Sequence, residues 1–295
     1  MVRIMYSQPI ATATTLSLED KDKLSSLWQP LCQQHNLQFA EYSFANVYLF
    51  RKQHSYELIE GDPLFVRGKF SEGHYYLIPT MAPKDLFLKL KSIPKQHCIF
   101  PIPDHWVDDF RDAGCKTFFC RGDSDYVYQK EKMQTLKGRA LSSRRNLLHQ
   151  LESHHQMTSR ALTENDIPDA FELIEEWQSH SELSKEKTDY FPCREALENM
   201  NRLQLFGRIA YADGQAVGFS LGELLTPQTA LFHFIKGRRD FKGIMPFLNK
   251  DFAQHLPDSV HWINVEQDLG LPALRQAKNA YEPSRLLTKW RICNF

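Results

Sequence analysis

The sequence predicts an α/β (α+β) protein made of two tandem modules, each a mixed sheet flanked by helices. Three observations lead there. One order of elements (helix, three strand-like runs, helix, strand, helix, strand) is spelled out twice along the 295 residues. Hydrophobic residues at 42% and charged residues at 24% are the balance of a chain with a core to bury. The length suits one large domain or two ordinary ones, and the doubled order favours two.

In the first half, Leu16, Leu24, Leu27, Trp28 and Leu31 recur at helical spacing and predict an amphipathic helix over 16–35. Strands are expected at NVYLFRK (46–52), YELIEGDPLFVRG (56–68) and HYYLIPT (74–80), with turns at Gly61-Asp62 and Glu72-Gly73. A helix at PKDLFLKLKSI (83–93), a strand at CIFPI (98–102), a helix at WVDDFRDAG (106–114) and one strand at KTFFCRGDSDYVY (116–128) follow.

The second half opens with helices at IPDAFELIEEWQSH (167–180) and CREALENMNRL (193–203). Strands FGRIAYADG (206–214), QAVGFSLGELL (215–225) and TALFHFIKG (229–237) join at Asp213-Gly214 and Thr226-Pro227. A helix (243–256), a strand (260–265), a helix (272–280) and a last strand near 286–292 complete it. The basic stretch 130–155 reads as helical and links a first domain, 1–129, to a second, 156–295.

Lys plus Arg equals Asp plus Glu, 36 each, so no overall field draws the chain to nucleic acid or membrane, and such a partner must meet a local patch. No apolar run reaches the ~20 residues of a membrane span, and MVRIMYSQPIATATT lacks the apolar stretch of a secretory signal. Six scattered cysteines (32, 98, 115, 120, 193, 293) form no C-x-x-C pair. No metal site is expected from them, and free thiols in a cytoplasmic protein are the reading.

Three stretches can carry chemistry. In HWINVEQDLGLPALRQAKNAYEP (261–283), strand alternation puts Glu266 and Asp268 on one face as a buried strand ends. Gly270 permits a tight turn, Pro272 suits a helix start, and steps of three align Arg275, Lys278 and Tyr281. A polar cluster at the C-terminal edge of a sheet is where open α/β sheets bind ligands; otherwise the carboxylates merely favour the helix dipole. In ALFHFIKGRRDFKGIMPFL (230–248), His233 and Lys236 sit in an apolar strand, and Gly243 opens a helix whose free amides can hold a phosphate. In the stretch 125–155, Tyr126 and Tyr128 precede six basic residues (130, 132, 137, 139, 144, 145) set against the single acid Glu131. That face suits a phosphate backbone, with the tyrosines placed to stack on a base. No G-x-S-x-G elbow, phosphate-binding G-x-x-x-x-G-K-[ST] loop or H-E-x-x-H is present.

Together, FANVYLFRK, DYVYQKEKMQTLKGRALSSRRN, FHFIKGRRDFKG and NVEQDLGLPALRQAKNAYEP resemble a bacterial family named for the C-terminal domain of phosphatidylglycerol lysyltransferases, from about Phe44 to Trp290. The doubled element order resembles that of the GNAT acyltransferase fold. The resemblance implies tandem GNAT-like modules with a cleft between them. The namesake enzymes carry an aminoacyl group from charged tRNA to a lipid head group, and relatives add amino acids to peptidoglycan precursors. The family's recurring positions fall here on Asn46, Tyr126, Tyr128, Gly138, Arg145, Asn146, Gly243, Asn264, Glu266, Asp268, Gly270, Arg275, Lys278 and Tyr281.

The chain departs from this pattern in three ways. It has no multi-helix membrane domain like that of the namesakes. The acetyl-CoA signature [Q/R]-x-x-G-x-[G/A] is approached but not matched at 238–245, and a strand Glu-Lys pair reads Ile235-Lys236.

The expectation is therefore an acyl- or aminoacyltransferase acting on an amine or hydroxyl, with aminoacyl-tRNA or an acyl-CoA as donor. Glu266 or Asp268 would be the base if burial raises its pKa, and Lys236 or Arg275 would face the oxyanion. Asn46, Tyr126, Tyr128, His233, Asn264, Lys278 and Tyr281 would line the substrate. Lys137, Arg139, Arg144, Arg145 and the Gly243 helix start would hold the tRNA or nucleotide backbone along 130–145. The acceptor would be a small molecule or a lipid head group. A non-catalytic aminoacyl- or nucleotide-binding module and an acetyl-CoA-dependent N-acetyltransferase stand as alternatives.

Overall fold

The computed structural model describes residues 13–82, 85–87 and 96–293. Two seven-stranded sheets carry the chain. The first holds β1 (Ala13–Thr15), β2 (Glu57–Ile59), β3 (Phe65–Lys69), β4 (Tyr75–Ile78), β5 (His97–Ile102) and β6 (Lys116–Phe119). The second holds β7 (Asp125–Gln129), β8 (Met157–Ala161), β9 (Phe206–Ala212), β10 (Gln215–Thr226), β11 (Thr229–Gly237), β12 (Trp262–Gln267) and β13 (Arg285–Leu287). The last strand, β14 (Trp290–Cys293), returns to the first sheet.

The strand orders are β1-β2-β3-β4-β5-β14-β6 and, read from its opposite end, β8-β9-β10-β11-β12-β7-β13. In each, an antiparallel run meets one parallel pair, β4 with β5 and β11 with β12. The sixth place is filled by a strand from the other half: β14 lies between β5 and β6, and β7 lies between β12 and β13. The halves thus trade a strand, and the sheets do not follow a linear boundary at residue 129.

Several expected elements change: YELIEGDPLFVRG splits into β2 and β3, and the last strand near 286–292 splits into β13 and β14, which lie in different sheets. KTFFCRGDSDYVY is two strands in different sheets, separated by a 3-10 turn at Arg121–Asp123. NVYLFRK is not a strand: Phe44–Leu49 is a helix with all six residues buried, and the Ser43 hydroxyl caps it by accepting from the Asn46 amide. A helix buried all round has no polar face, so it shows no helical period. The helix expected at 83–93 lies mostly outside the described residues. The Asp213-Gly214 hairpin forms as read, with both residues at positive φ.

One apolar cluster runs through both halves, from Leu24 and Trp28 on the helix Lys21–His35 to Leu173, Phe219 and Phe234. The free-thiol reading is corrected at one pair: Cys98 and Cys293, 195 residues apart, form a disulfide because β14 pairs with β5. Spacing carries no trace of such a contact. Cys32, Cys115, Cys120 and Cys193 are free.

Candidate active site

β11 and β12 pair only from Thr229↔Trp262 to Leu231↔Asn264, although both strands run on. Two irregularities fall where they part. The β10–β11 register jumps between Leu221↔Phe234 and Gly222↔Phe232, which leaves His233 as an extra residue. The β12–β7 register slips between Asn264 and Gln267, with Glu266 at φ 62. Bulges of this kind re-aim side chains. Here they turn His233 toward Glu266, its Nδ1 2.7 Å from Glu266 Oε1, while Nε2 lies 2.9 Å from Glu223 Oε1 on β10.

The first half completes the cluster. The helix Phe44–Leu49 brings Asn46, whose Nδ2 donates to Glu266 Oε1 at 2.9 Å, and its cap Ser43 donates to Glu223 Oε1. Neighbouring Phe50 stacks on Phe234 at 6.0 Å between ring centroids. The polar array is therefore built from both halves.

His233 is fully buried at its side chain, and Glu223 and Glu266 are each 15% exposed. Burial alone would lower the imidazole pKa, but hydrogen bonds to Glu223 and Glu266 raise it to about 10. His233 is thus an imidazolium at neutral pH, held between two carboxylates. Unfolded histidine titrates near ~6.5. A raised pKa gives a contribution to stability that is complete below ~6.5 and is lost as pH climbs through about 10. Lys278, lowered by burial to about 8, works in the opposite sense at high pH. The measurable quantity is therefore the melting-temperature difference between the parent and His233→Gln, which should shrink between pH 7 and 10.5. A constant difference would show that the imidazole is neutral.

Around this array lies a frame of buried ion pairs and amides. Asn264 donates to the Gln38 carbonyl at 2.7 Å and to Asp125 Oδ2 at 2.9 Å, and it accepts from the Glu266 amide at 2.7 Å. Asp125 in turn takes the Lys289 ammonium at 2.6 Å, and Lys289 also meets Glu41 at 2.7 Å. Burial pushes the Glu41 carboxyl up to about 7 against the pull of Lys289. Lys278 donates to the carbonyls of Val265 and Glu266. The Tyr128 hydroxyl donates to the Lys278 carbonyl at 2.7 Å.

Several sequence expectations are redirected. Asp268 does not sit with Glu266: the bulge breaks the alternation, and Asp268 accepts from Arg275 at 2.7 Å, Tyr126 at 2.6 Å, Arg121 at 3.1 Å and the Gly270 amide at 2.8 Å. Burial would raise its pKa, yet the bonds from Arg275, Tyr126 and Gly270 hold it well below the carboxylate range. The expected rise is reversed, so Asp268 is a fixed anion. Arg275 and Lys236 are both engaged by carboxylates, Lys236 with Asp189 at 2.7 Å and with its ammonium 3.4 Å from the Trp177 ring centre. Tyr126 and Tyr128 are buried and so cannot stack on a base.

The basic stretch folds as two helices, Lys130–Thr135 and Ser142–His154. Lys130 donates to the Leu256 and Pro257 carbonyls, Lys132 to Glu282 and Arg145 to Leu136 and Gly138. Lys137 and Arg139 are exposed, and Arg144 lies 5.4 Å from the ring centre of Tyr281, whose phenol burial lifts to about 12. Gly243 sits at φ 102 where any Cβ would strike the Leu147 carbonyl, which gives this glycine a packing reason.

Glu223, Ser43, Asp125 and Lys289 were not singled out by the sequence reading. For Glu223, Asp125 and Lys289 the one local signal is a charged side chain in or beside an apolar strand pattern, as in GFSLGELL and LLTKWRI, and for Ser43 it is a capping residue type before a helix. Glu223 and Ser43 also border a hollow of about 280 Å³ between the halves. Among the described residues no three His, Cys, Asp or Glu side chains converge as metal ligands would, and no helix is long and apolar enough to cross a membrane.

The architecture is two tandem GNAT-like modules. A family model described as the C-terminal region of phosphatidylglycerol lysyltransferase matches residues 33–293. A conserved protein of unknown function from Bacteroides thetaiotaomicron superposes with TM-score 0.84 at 22% identity, over 97% of this chain and 100% of that one. The C-terminal domain assigned to a lysylphosphatidylglycerol synthetase in Agrobacterium fabrum gives 0.61 at 14% identity, covering 95% of this chain and 92% of that one. The L-PGS of Bacillus licheniformis gives 0.58 at 11% identity, covering 93% and 92%. No curated protein matches the sequence.

Proposed function

The chain belongs to the phosphatidylglycerol lysyltransferase C-terminal family, and from that premise we propose that it is an aminoacyltransferase, moving an aminoacyl group from charged tRNA to an amine or hydroxyl. The observation that supports this most is His233, buried and doubly hydrogen-bonded between Glu223 and Glu266 where β11 and β12 part.

The reaction requires one proton to pass from the attacking amine or hydroxyl to the ester oxygen that leaves. A carboxylate–imidazolium–carboxylate array can take up that proton at one end and return it from another. Asn46 and Ser43 hold the two carboxylates in place. Lys278 donates to the Glu266 carbonyl and pairs with no carboxylate among the described residues, and it takes the part of the oxyanion partner in place of Lys236 and Arg275. Exposed Lys137 and Arg139, with Arg144, are the basic side chains left to meet a phosphate backbone. A charged-tRNA donor places the work in the cytoplasm, with a small amine or a lipid head group as acceptor.

The test is transfer of label from aminoacyl-tRNAs to a panel of amine and hydroxyl acceptors. Turnover is expected, with the double variant Lys137→Glu/Arg139→Glu raising KM for tRNA and flattening its salt dependence. Label transfer from acetyl-CoA, with none from any aminoacyl-tRNA, would replace this reading by an N-acetyltransferase.

A further inference from the structure

The hollow beside Glu223 has a chemistry of its own. It lies between the helix Lys21–His35 and the segment 42–45 of the first half, and residues 203–206 and 223–225 of the second. Among the described residues that line it there is one acid, Glu223, and one base, Lys21. Tyr42, Phe44 and Phe206 supply aromatic wall, and the Tyr42 hydroxyl is directed away to the Pro101 carbonyl at 3.4 Å.

The two charges are not equally available. Lys21 donates to the Arg202 carbonyl at 2.7 Å. Glu223 receives both of its hydrogen bonds, from Ser43 and from His233, on Oε1 alone. Its Oε2 has no partner among the described residues. The side chain is 15% exposed and lines the hollow, so this oxygen is left available to an incoming group. A free carboxylate oxygen in a partly enclosed pocket with aromatic walls is the setting in which an ammonium is held, by a charge-assisted hydrogen bond and by the ring faces.

We propose that this hollow is a subsite for a primary ammonium group on a short chain, bound by Glu223 Oε2 against Tyr42, Phe44 and Phe206. The proposal rests on the transferase reading only in taking the bound amine as a reaction partner. Two sources share this chemistry: an acceptor amine, and the α-ammonium of the aminoacyl group on the donor.

Titration calorimetry on the intact chain tests it with n-butylamine as acceptor mimic, alanine methyl ester as donor mimic and n-butanol as the uncharged control. At least one of the two amines is expected to bind while butanol does not. Glu223→Gln should weaken that binding about tenfold or more, the loss of one hydrogen bond to a charged group. Lys21→Ala, a change at the rim that leaves the core intact, should tighten it severalfold by removing the competing cation. Tighter binding of the ester assigns the ammonium to the donor, and tighter binding of butylamine assigns it to the acceptor; both uphold the subsite. Butanol binding as well as the amines, neither amine binding, or a Lys21→Ala affinity that falls would overturn it. Only binding is read, so amine binding without transfer keeps the subsite and defeats the transferase. Transfer without amine binding does the reverse.

Discussion

Glu266→Gln is expected to lower kcat for acyl transfer by about 10²–10⁴-fold, the range that a positioned acid–base group contributes, with KM for the donor changed only a few-fold. The amide keeps the size of the carboxylate and can still accept from Asn46, so the local packing survives. What it loses is the negative charge opposite His233 Nδ1. Without that charge, one of the two carboxylates that raise the imidazole pKa is gone while the burial that lowers it stays, and the pKa falls from about 10 toward its ordinary value. The variant should therefore show, besides the loss of rate, a new dependence of activity on pH near neutrality that the parent lacks. A variant that merely disturbed structure would lose rate at all pH values alike. Turnover within a few-fold of the parent, with an unchanged pH profile, would remove the array from the mechanism.

How much of this was legible from residues alone divides along local and non-local lines. The order of elements and the polar end of the strand at 261–266 follow from periodicity and turn chemistry, both local. His233 and Glu266 were singled out as charged groups in apolar strands, and the structure brings them together. The pairing of Glu266 with Asp268 was a deduction from strict alternation, and it fails at a bulge that leaves Glu266 at φ 62. A left-handed glutamate carries no residue-type signature, since glycine and asparagine are the usual occupants. Helix Phe44–Leu49 departs from the expected strand for the opposite reason: burial on every side removes the pattern that marks a helix. The strand exchange was also out of reach. Asp125 and Lys289 look like isolated charges in strand sequences, and each acquires meaning only because β7 and β14 cross to the other half.

That crossing leads to the largest expected effect on stability. Lys289 stands one residue before β14, Asp125 is the first residue of β7, and their contact at 2.6 Å joins the two exchanged strands, with Glu41 as third member. All three are buried. Removing one partner of a buried ion pair typically costs roughly 3–5 kcal/mol, because the charge left behind has no water to replace it. Lys289→Met should cost about this much in urea unfolding, a large share of the ~5–15 kcal/mol that holds a typical domain. Glu41, already pushed up to about 7, would respond by taking a proton. Asp125 accepts from the Ala40 amide at 3.0 Å and from Asn264 at 2.9 Å, so it stays fixed in place by these bonds without its cation. Adding Asp125→Asn to Lys289→Met should accordingly restore part of the loss, whereas Glu41→Gln should restore less. The same variants bear on the site, since Asp125 holds Asn264, whose side chain receives the Glu266 amide at 2.7 Å. Lys289→Met is therefore expected to lower kcat even under conditions where the protein stays folded. A variant of full stability would mean that the exchanged strands are held by their ladders and apolar contacts alone, and that the buried charges contribute to neither.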